Sequence, residues 1–287
     1  MTRQNILLIL ICTCCITRTA FSQSSKPVTL SLHPAKGSRY SFLTKLHQKA
    51  ASSSANDSGA TEQKSIVELS AVVSHIERNG SITFDASLNR IAIKQYVSSQ
   101  GDQELLTMDT KDSLINFGTD AIEFSDRFKK QNGVKYSMEF SKAGARISAT
   151  LDSVFERMAG TRYDKPVDNA TLFVVFPDHS VSIGESWNNT SITRFDNVQM
   201  ITTDHYTLKS VDRTTAEIDL TQSLTASGEG GTISGKGSGS YTIDIATGMT
   251  QNAHISSDID MTIKDGTTET PMKVTSELTI AAAKKKR

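Results

Sequence analysis

Cysteine is scarce in this 287-residue chain: Cys12, Cys14 and Cys15 are the only three, all within the first 15 residues. Proline occurs five times and tryptophan once, at Trp187. Neither sign of charge prevails, with 31 basic and 31 acidic residues. No apolar run reaches the roughly 20 residues that a membrane-spanning helix requires. The even charge balance leaves no footprint for nucleic acid. The one basic cluster, Lys284 to Arg287, reads as a solvated terminal tail.

The cysteines sit in a segment with the order of a secretory leader. Arg3 precedes an apolar run from Ile6 to Ile11, which continues less cleanly to Ile16. Ala20-Phe21-Ser22-Gln23 then places small residues at minus three and minus one of a cut after Ser22. We expect residues 1–22 to be a signal peptide and residues 23–287 the mature protein, periplasmic or extracellular; the competing reading is an uncleaved anchor. Ile11, Thr13 and Cys14 precede the three cysteines, so no small residue introduces a lipid-modified one. After cleavage no thiol remains, which excludes disulfides, thiolate nucleophiles and cysteine metal sites. Loss of Arg3 and Arg18 changes the net charge from 0 to −2.

In the rest of the chain apolar residues alternate with polar ones, the period of half-buried strands. Val67, Leu69, Ala71 and Val73 form one face, and Asn79-Gly80 predicts a hairpin turn into Ile82, Phe84, Ala86 and Leu88. A separate strand is expected from Ile91 to Val97, paired with Glu104–Met108 across Gln100-Gly101-Asp102. Further on, Ala216, Ile218 and Leu220 alternate with acids. Tyr241, Ile243 and Ile245 lead to a turn at Thr247-Gly248. Ile255, Ile259, Met261 and Ile263 precede a turn at Asp265-Gly266, and Met272, Val274, Leu278 and Ile280 close the series. Short strands joined by tight turns imply an antiparallel sheet.

Two segments keep a helical period. Residues 120–130 read as a helix with Ala121, Phe124 and Phe128 on one face, stopped by Asn132-Gly133. Residues 151–159 place Leu151, Val154, Phe155 and Met158 on one stripe. Between them Val134–Phe140 and Ala145–Thr150 fit a hairpin around Lys142-Ala143-Gly144. Ala50 to Gln63 lacks any period and reads as a loop. The mature chain is expected to form a single mostly β domain, with two lobes meeting near residues 161–170 as the alternative.

Several motifs resemble catalytic signatures. Gly230 to Lys236 copies most of a phosphate-binding loop, but Gly237 stands where Ser or Thr should hold magnesium, and a strand pattern follows where a helix is needed. It reads as a strand in which backbones approach closely. Gly184-Glu185-Ser186-Trp187-Asn188 lacks the second glycine of a serine hydrolase elbow. His33, His47, His75, His179, His205 and His254 are scattered, with no metal-binding spacing. Asp258 and Asp260 share one side of a strand, about 7 Å apart by strand rise, so a carboxylate-based hydrolase is kept as a reading. No catalytic, cofactor-binding or metal-binding residue is assigned, and the ligand-binding residues stay undetermined. Asp112-Ser113-Leu114 and Asp152-Ser153-Val154 have the form of O-glycan acceptor tripeptides.

Phe176 to Trp187 is the most distinctive stretch. Pro177 opens a turn, Val181 and Ile183 face the core, Gly184 permits a second turn and Trp187 fills a large space. This F-P-x-x-x-V-x-x-G-E-S-W pattern resembles a family of uncharacterised secreted or envelope proteins of Bacteroidetes-type bacteria. Similar too are the Gly37-Ser38-Arg39-Tyr40 strand start, the Asn79-Gly80 hairpin, and Tyr241-Thr242-Ile243-Asp244 with Thr247-Gly248. The resemblance implies compartment and fold type and supplies no catalytic residues.

These readings converge on a large curved antiparallel sheet or partly open β-barrel with two short amphipathic helices on its inner face. For function we expect a non-catalytic cell-envelope protein without cofactor that binds a lipid or other apolar ligand in the concavity. The alternatives are a structural or interaction module with an envelope protein partner, and the carboxylate hydrolase.

Overall fold

The computed structural model describes residues 26–52, 59–98, 102–111, 115–117, 133–151, 172–195, 198–228, 230–265 and 268–285. The leader, both predicted helices apart from Leu151, the 161–170 connection, the two acceptor tripeptides and the 265–266 turn beyond Asp265 lie outside them.

Thirteen strands form one antiparallel sheet. They are β1 (Arg39–Ser52), β2 (Ala60–Ile76), β3 (Ile82–Ser98), β4 (Asp102–Asp109), β5 (Ile115–Phe117), β6 (Lys135–Phe140) and β7 (Arg146–Leu151), followed by β8 (Ser186–Phe195), β9 (Val198–Val211), β10 (Thr215–Gly228), β11 (Gly231–Asp244), β12 (Thr250–Asp265) and β13 (Thr268–Lys284). The spatial order is β5-β4-β3-β2-β1-β13-β12-β11-β10-β9-β8, and the sheet does not close into a barrel. Almost every neighbour is a hairpin partner in sequence. The exceptions are β3 with β6, off this path, and β1 with β13, paired from Tyr40–Lys284 to Ser52–Met272, which brings the first and last strands together at the centre. No helix occurs among the described residues.

The expected alternation is present throughout β2, β10, β11, β12 and β13. Three local readings are corrected. Ala50 to Gln63 is not all loop: β1 runs to Ser52 and β2 starts at Ala60, with Ala50 paired to Thr61 and Ala51 to Ala60. Small side chains hide the period there, while backbone pairing carries the ladder onward. The strands proposed for 82–88 and 91–97 are one, β3, kept continuous by a bulge opposite Glu68 and Leu69. Its first half pairs with β6 and its second with β4, so the sheet forks at this bulge. Leu151 opens no helix; it ends β7 opposite Tyr136.

The core occupies one end of the sheet's inner face. Phe173 lies among the rings of Phe140, Phe84 and Phe42, with centroids 4.7, 5.6 and 6.2 Å away. Residues 26–38 and 172–185 cover this end as extended segments, and Leu30, Leu32, Val174, Phe176 and Val181 are buried. Two hairpin turns seat them. Gly144, at φ +86°, ends a three-residue loop, and a Cβ there would lie 2.4 Å from the Val174 carbonyl oxygen. Gly248, at φ +68°, would place a Cβ 2.1 Å from the Ser31 oxygen. Glycine is required at both for conformation and for approach. The β2–β3 hairpin follows the same pattern: Gly80 N–H donates to the Glu77 oxygen at 3.0 Å and Glu77 N–H to Ser81 at 2.9 Å. The turn is therefore a three-residue loop through Arg78, Asn79 and Gly80, not the two-residue type expected from Asn79-Gly80.

Candidate functional site

Phe176 to Trp187 forms a corner at the covered end. Trp187 is 8% exposed, stacks on Tyr206 at 5.6 Å and donates from Nε1 to the Val175 oxygen at 2.7 Å. Burial and the nearby Asp204 carboxylate raise the Tyr206 hydroxyl pKa well above its usual range. Gly184 has φ +86° and its N–H donates to Leu208 at 2.7 Å. Val181 is fully buried, but Ile183 is 44% exposed: the turn that brings Gly184 to Leu208 points it outward, against the expectation that it covers the core. This segment anchors the fold.

The other candidates do not converge. Asp258 and Asp260 are exposed on the outer face, across from Lys236 and Lys273 on neighbouring strands. Asp260 borders a shallow, open hollow of about 420 Å³ with Ser234 and Lys273, and Asp258 does not. Gly231 to Lys236 lies within β11, and a Cβ on Gly239 in the same strand would sit 2.2 Å from the His254 oxygen; glycine here serves close strand approach. His47 meets Glu62 at 2.7 Å, and His179 lies between Asp178 at 3.1 Å and Glu185 at 3.3 Å, on the surface.

What the sheet assembles is a face. Beyond the covered end the inner positions of β9 to β13 are mostly apolar, with Met200, Leu224, Ala226, Ile233, Ile259, Met261, Met272 and Val274, and Thr202 and Thr270 interrupt them. Most are half-buried, and Ile263 at the far rim is 45% exposed. The outer face carries the charge, including Lys45, Lys64, Lys236, Lys273, Asp258 and Glu277. A membrane barrel has the opposite arrangement, with its apolar band outward.

A polar row separates the core from this apolar field. The register aligns Asn189, Asp204, Gln222, Gly237, Ser257, Ser276, Gln48, Gln63 and Gln95 across nine consecutive strands, all inward and half-buried. Part of it is satisfied internally. Gln222 Nε2 donates to Asp204 Oδ1 at 2.7 Å, the Tyr206 hydroxyl donates to Asp204 Oδ2 at 3.2 Å, and the Ser257 and Ser276 hydroxyls are 2.6 Å apart. Sequence reading missed this row. Its signal is a polar residue within an inward series, such as Ser257 between Ile255 and Ile259, but other inward polar residues, Ser65 and Thr202 among them, stand beside it, and only strand register shows which of them line up.

Comparison with known proteins places the fold without naming an activity. A family of unknown function, DUF6263, matches residues 169–260, which include the Phe176–Trp187 corner and β8 to β11. No curated protein matches the chain. Among solved structures the chain is similar to one described as "Lipid-protein interactions in lipovitellin", at 9% identity and a TM-score of 0.50, over 87% of this chain. It spans only 25% of that chain's length. An outer membrane channel from Pseudomonas putida F1 aligns at 6% identity over 88% of this chain and 97% of its own, and Salmonella typhi OmpF at 6% over 88% and 100%. Their TM-scores, 0.26 and 0.21, are too low to carry an argument. The chain thus has a curved antiparallel sheet resembling the lipovitellin sheet, and a domain of unknown function at residues 169–260.

Proposed function

We propose that this chain is an exported, non-catalytic protein of the bacterial envelope that holds a lipid or other apolar ligand against the inner face of its sheet. The observation that carries the reading is the apolar field from Leu224 to Val274, set on the inner face while the charged residues lie on the outer one. Apolar surface of this extent gains about 25 cal/mol per Å² when covered, so a ligand of acyl character is the natural occupant. The likeness to lipovitellin supports the sheet shape that such a role uses. The leader sequence and the resemblance of the Trp187 corner to secreted Bacteroidetes-type proteins support the compartment.

The test is solvent extraction and native mass spectrometry of the exported protein, followed by titration with a fluorescent acyl probe. Co-purified lipid or saturable probe uptake is expected. A protein that carries no lipid and takes up no probe would end this reading. N-terminal sequencing of the exported form should begin at Gln23. A second reading, an interaction module, is favoured by Ile192 and Ile201, cross-strand neighbours exposed by 57% and 37% on the outer face beside the terminal strand β8. Crosslinking in cells through Ile192 should then recover an envelope protein, and its absence counts against that alternative.

A further inference from the structure

The inner face is almost without charge. Among the described inward positions between the covered end and the far rim, the only ionisable acid or base is Asp204, whose oxygens already accept from Gln222 and Tyr206. No lysine or arginine lies there to meet a carboxylate or phosphate, and an ion placed beside apolar surface without a partner is strongly disfavoured. The polar row does offer neutral donors and acceptors. Gln48, Gln63 and Gln95 sit side by side on β1, β2 and β3, and among the described residues their side-chain amides make no hydrogen bond. Adjacent strands place them about 4.8 Å apart. Half-buried amides with capacity to spare are where a ligand's hydrogen-bonding group gains most.

On β10, β12 and β13 the apolar field begins directly below this row, at Leu224, Ile259 and Val274, and beside Val274 the positions below the three glutamines are Ala50, Thr61 and Val97. Along β12 the distance from Ser257 to Ile263 is six residues, about 20 Å by strand rise, against about 15 Å for half the hydrocarbon thickness of a bilayer. One extended acyl chain therefore fits between the polar row and the rim. Resting on the lipid-binding reading above, we infer that the occupant is an uncharged acyl lipid: its ester or hydroxyl group bonds to the Gln48–Gln63–Gln95 amides, and its chain lies over Val274, Ile259 and Met261. Among the described residues no cation faces the row, so fatty-acid carboxylates and anionic phospholipids are disfavoured there.

The experiment measures binding of 1-monooleoylglycerol, oleate at pH 8, phosphatidylglycerol and hexadecane to the delipidated full mature chain. Monooleoylglycerol is expected to bind at least tenfold tighter than the other three. Gln48→Leu with Gln63→Leu should reduce that preference over hexadecane at least fivefold while leaving hexadecane binding unchanged, a control that the face is intact. Gln48→Lys should invert the preference toward oleate. Oleate or phosphatidylglycerol binding as tightly as monooleoylglycerol to the unaltered protein overturns the inference and leaves the lipid reading standing, as does a preference that the glutamine variants do not move. If none of the four binds, the lipid reading fails and the inference with it.

Discussion

Replacing Trp187 tests whether the corner holds the covering segment on the sheet. Its indole is 8% exposed, stacked on Tyr206 at 5.6 Å, and its Nε1 donates at 2.7 Å to the Val175 oxygen. Trp187→Ala deletes the ring and opens a cavity, a change that costs about 3–5 kcal/mol in well-packed cores. Trp187→Phe keeps most of the stacking on Tyr206 and removes the donor. The Val175 carbonyl is then left without that bond, at about 1–3 kcal/mol, with some lost area in addition. The two variants therefore separate packing from hydrogen bonding. Urea unfolding followed by circular dichroism at 218 nm reads both, because the single tryptophan is gone from each. An unchanged slope with a lowered midpoint is expected, since the surface exposed on unfolding hardly alters. In the parent protein the same residue is the only tryptophan, so a blue-shifted emission that moves red in one step with urea should track the dichroism. A Trp187→Ala loss below about 1 kcal/mol would refute the anchoring role. A Trp187→Phe protein as stable as the parent would refute the bond to Val175.

Other consequences can be measured the same way. Phe173→Ala removes the ring shared by Phe42, Phe84 and Phe140 and should cost about 3–5 kcal/mol; with Phe140→Ala the losses should be non-additive, because those rings touch at 4.7 Å. Gly248→Ala should destabilise far more than Gly184→Ala: both have positive φ, but a Cβ at Gly248 meets the Ser31 backbone oxygen at 2.1 Å, whereas nothing lies within 4 Å at Gly184. Gly184→Ala is left with the conformational cost alone, about 1 kcal/mol. Asp109 and Glu68 have lowered pKa values, Asp109 chiefly through its hydrogen bonds from Arg90 and Glu68 chiefly through Lys111. Because their folded pKa values lie below the unfolded ones, their stabilisation is present above about pH 4 and fades as pH falls through the folded values; Arg90→Met should flatten this acid limb of a stability–pH curve. Asp212, which accepts the Thr214 and Thr215 N–H groups at 2.7 Å, should titrate at about 2 by NMR.

Sequence alone revealed the sheet because half-buried strands announce themselves one at a time. Ile218-x-Leu220 and Tyr241-x-Ile243 need no partner to be recognised, and the glycine turns at 144 and 248 need only their neighbours. What it could not show was where the inner face is covered and by what. Residues 28–32 do alternate, with Leu30 and Leu32 buried, but what they cover is far away in sequence, as the bond from His33 N–H to the Thr247 oxygen, more than 200 positions on, shows. The same limit hid the pairing of β1 with β13. The period of a single covering segment does not say which sheet end it lies on.

The polar row is the sharpest instance of this limit, and it decides what the face can bind. Within β13, Ser276 looks like a minor lapse between Val274 and Leu278; within β1, Gln48 looks like one between Leu46 and Ala50. Each lapse is tolerable because the position is only half-buried. Their alignment across nine strands needs five polar side chains in β8 to β10, β12 and β13, one glycine in β11 and three amides in β1 to β3, all at matching register. A stability requirement alone would favour apolar residues there, since a buried polar row gains little net energy over well-packed hydrocarbon even when it is satisfied. The amides of Gln48, Gln63 and Gln95 go further and are unsatisfied by any described side chain. If they served the fold, changing all three to leucine would lower the stability read in urea and would leave its ligand selectivity untouched. If they serve a ligand, the triple variant gains stability by an amount visible in urea, on the order of 1 kcal/mol, and loses discrimination between monooleoylglycerol and hexadecane. The paired measurement of stability and selectivity on one variant separates the two, and a triple leucine protein that discriminates as well as the parent would remove the functional meaning of the row.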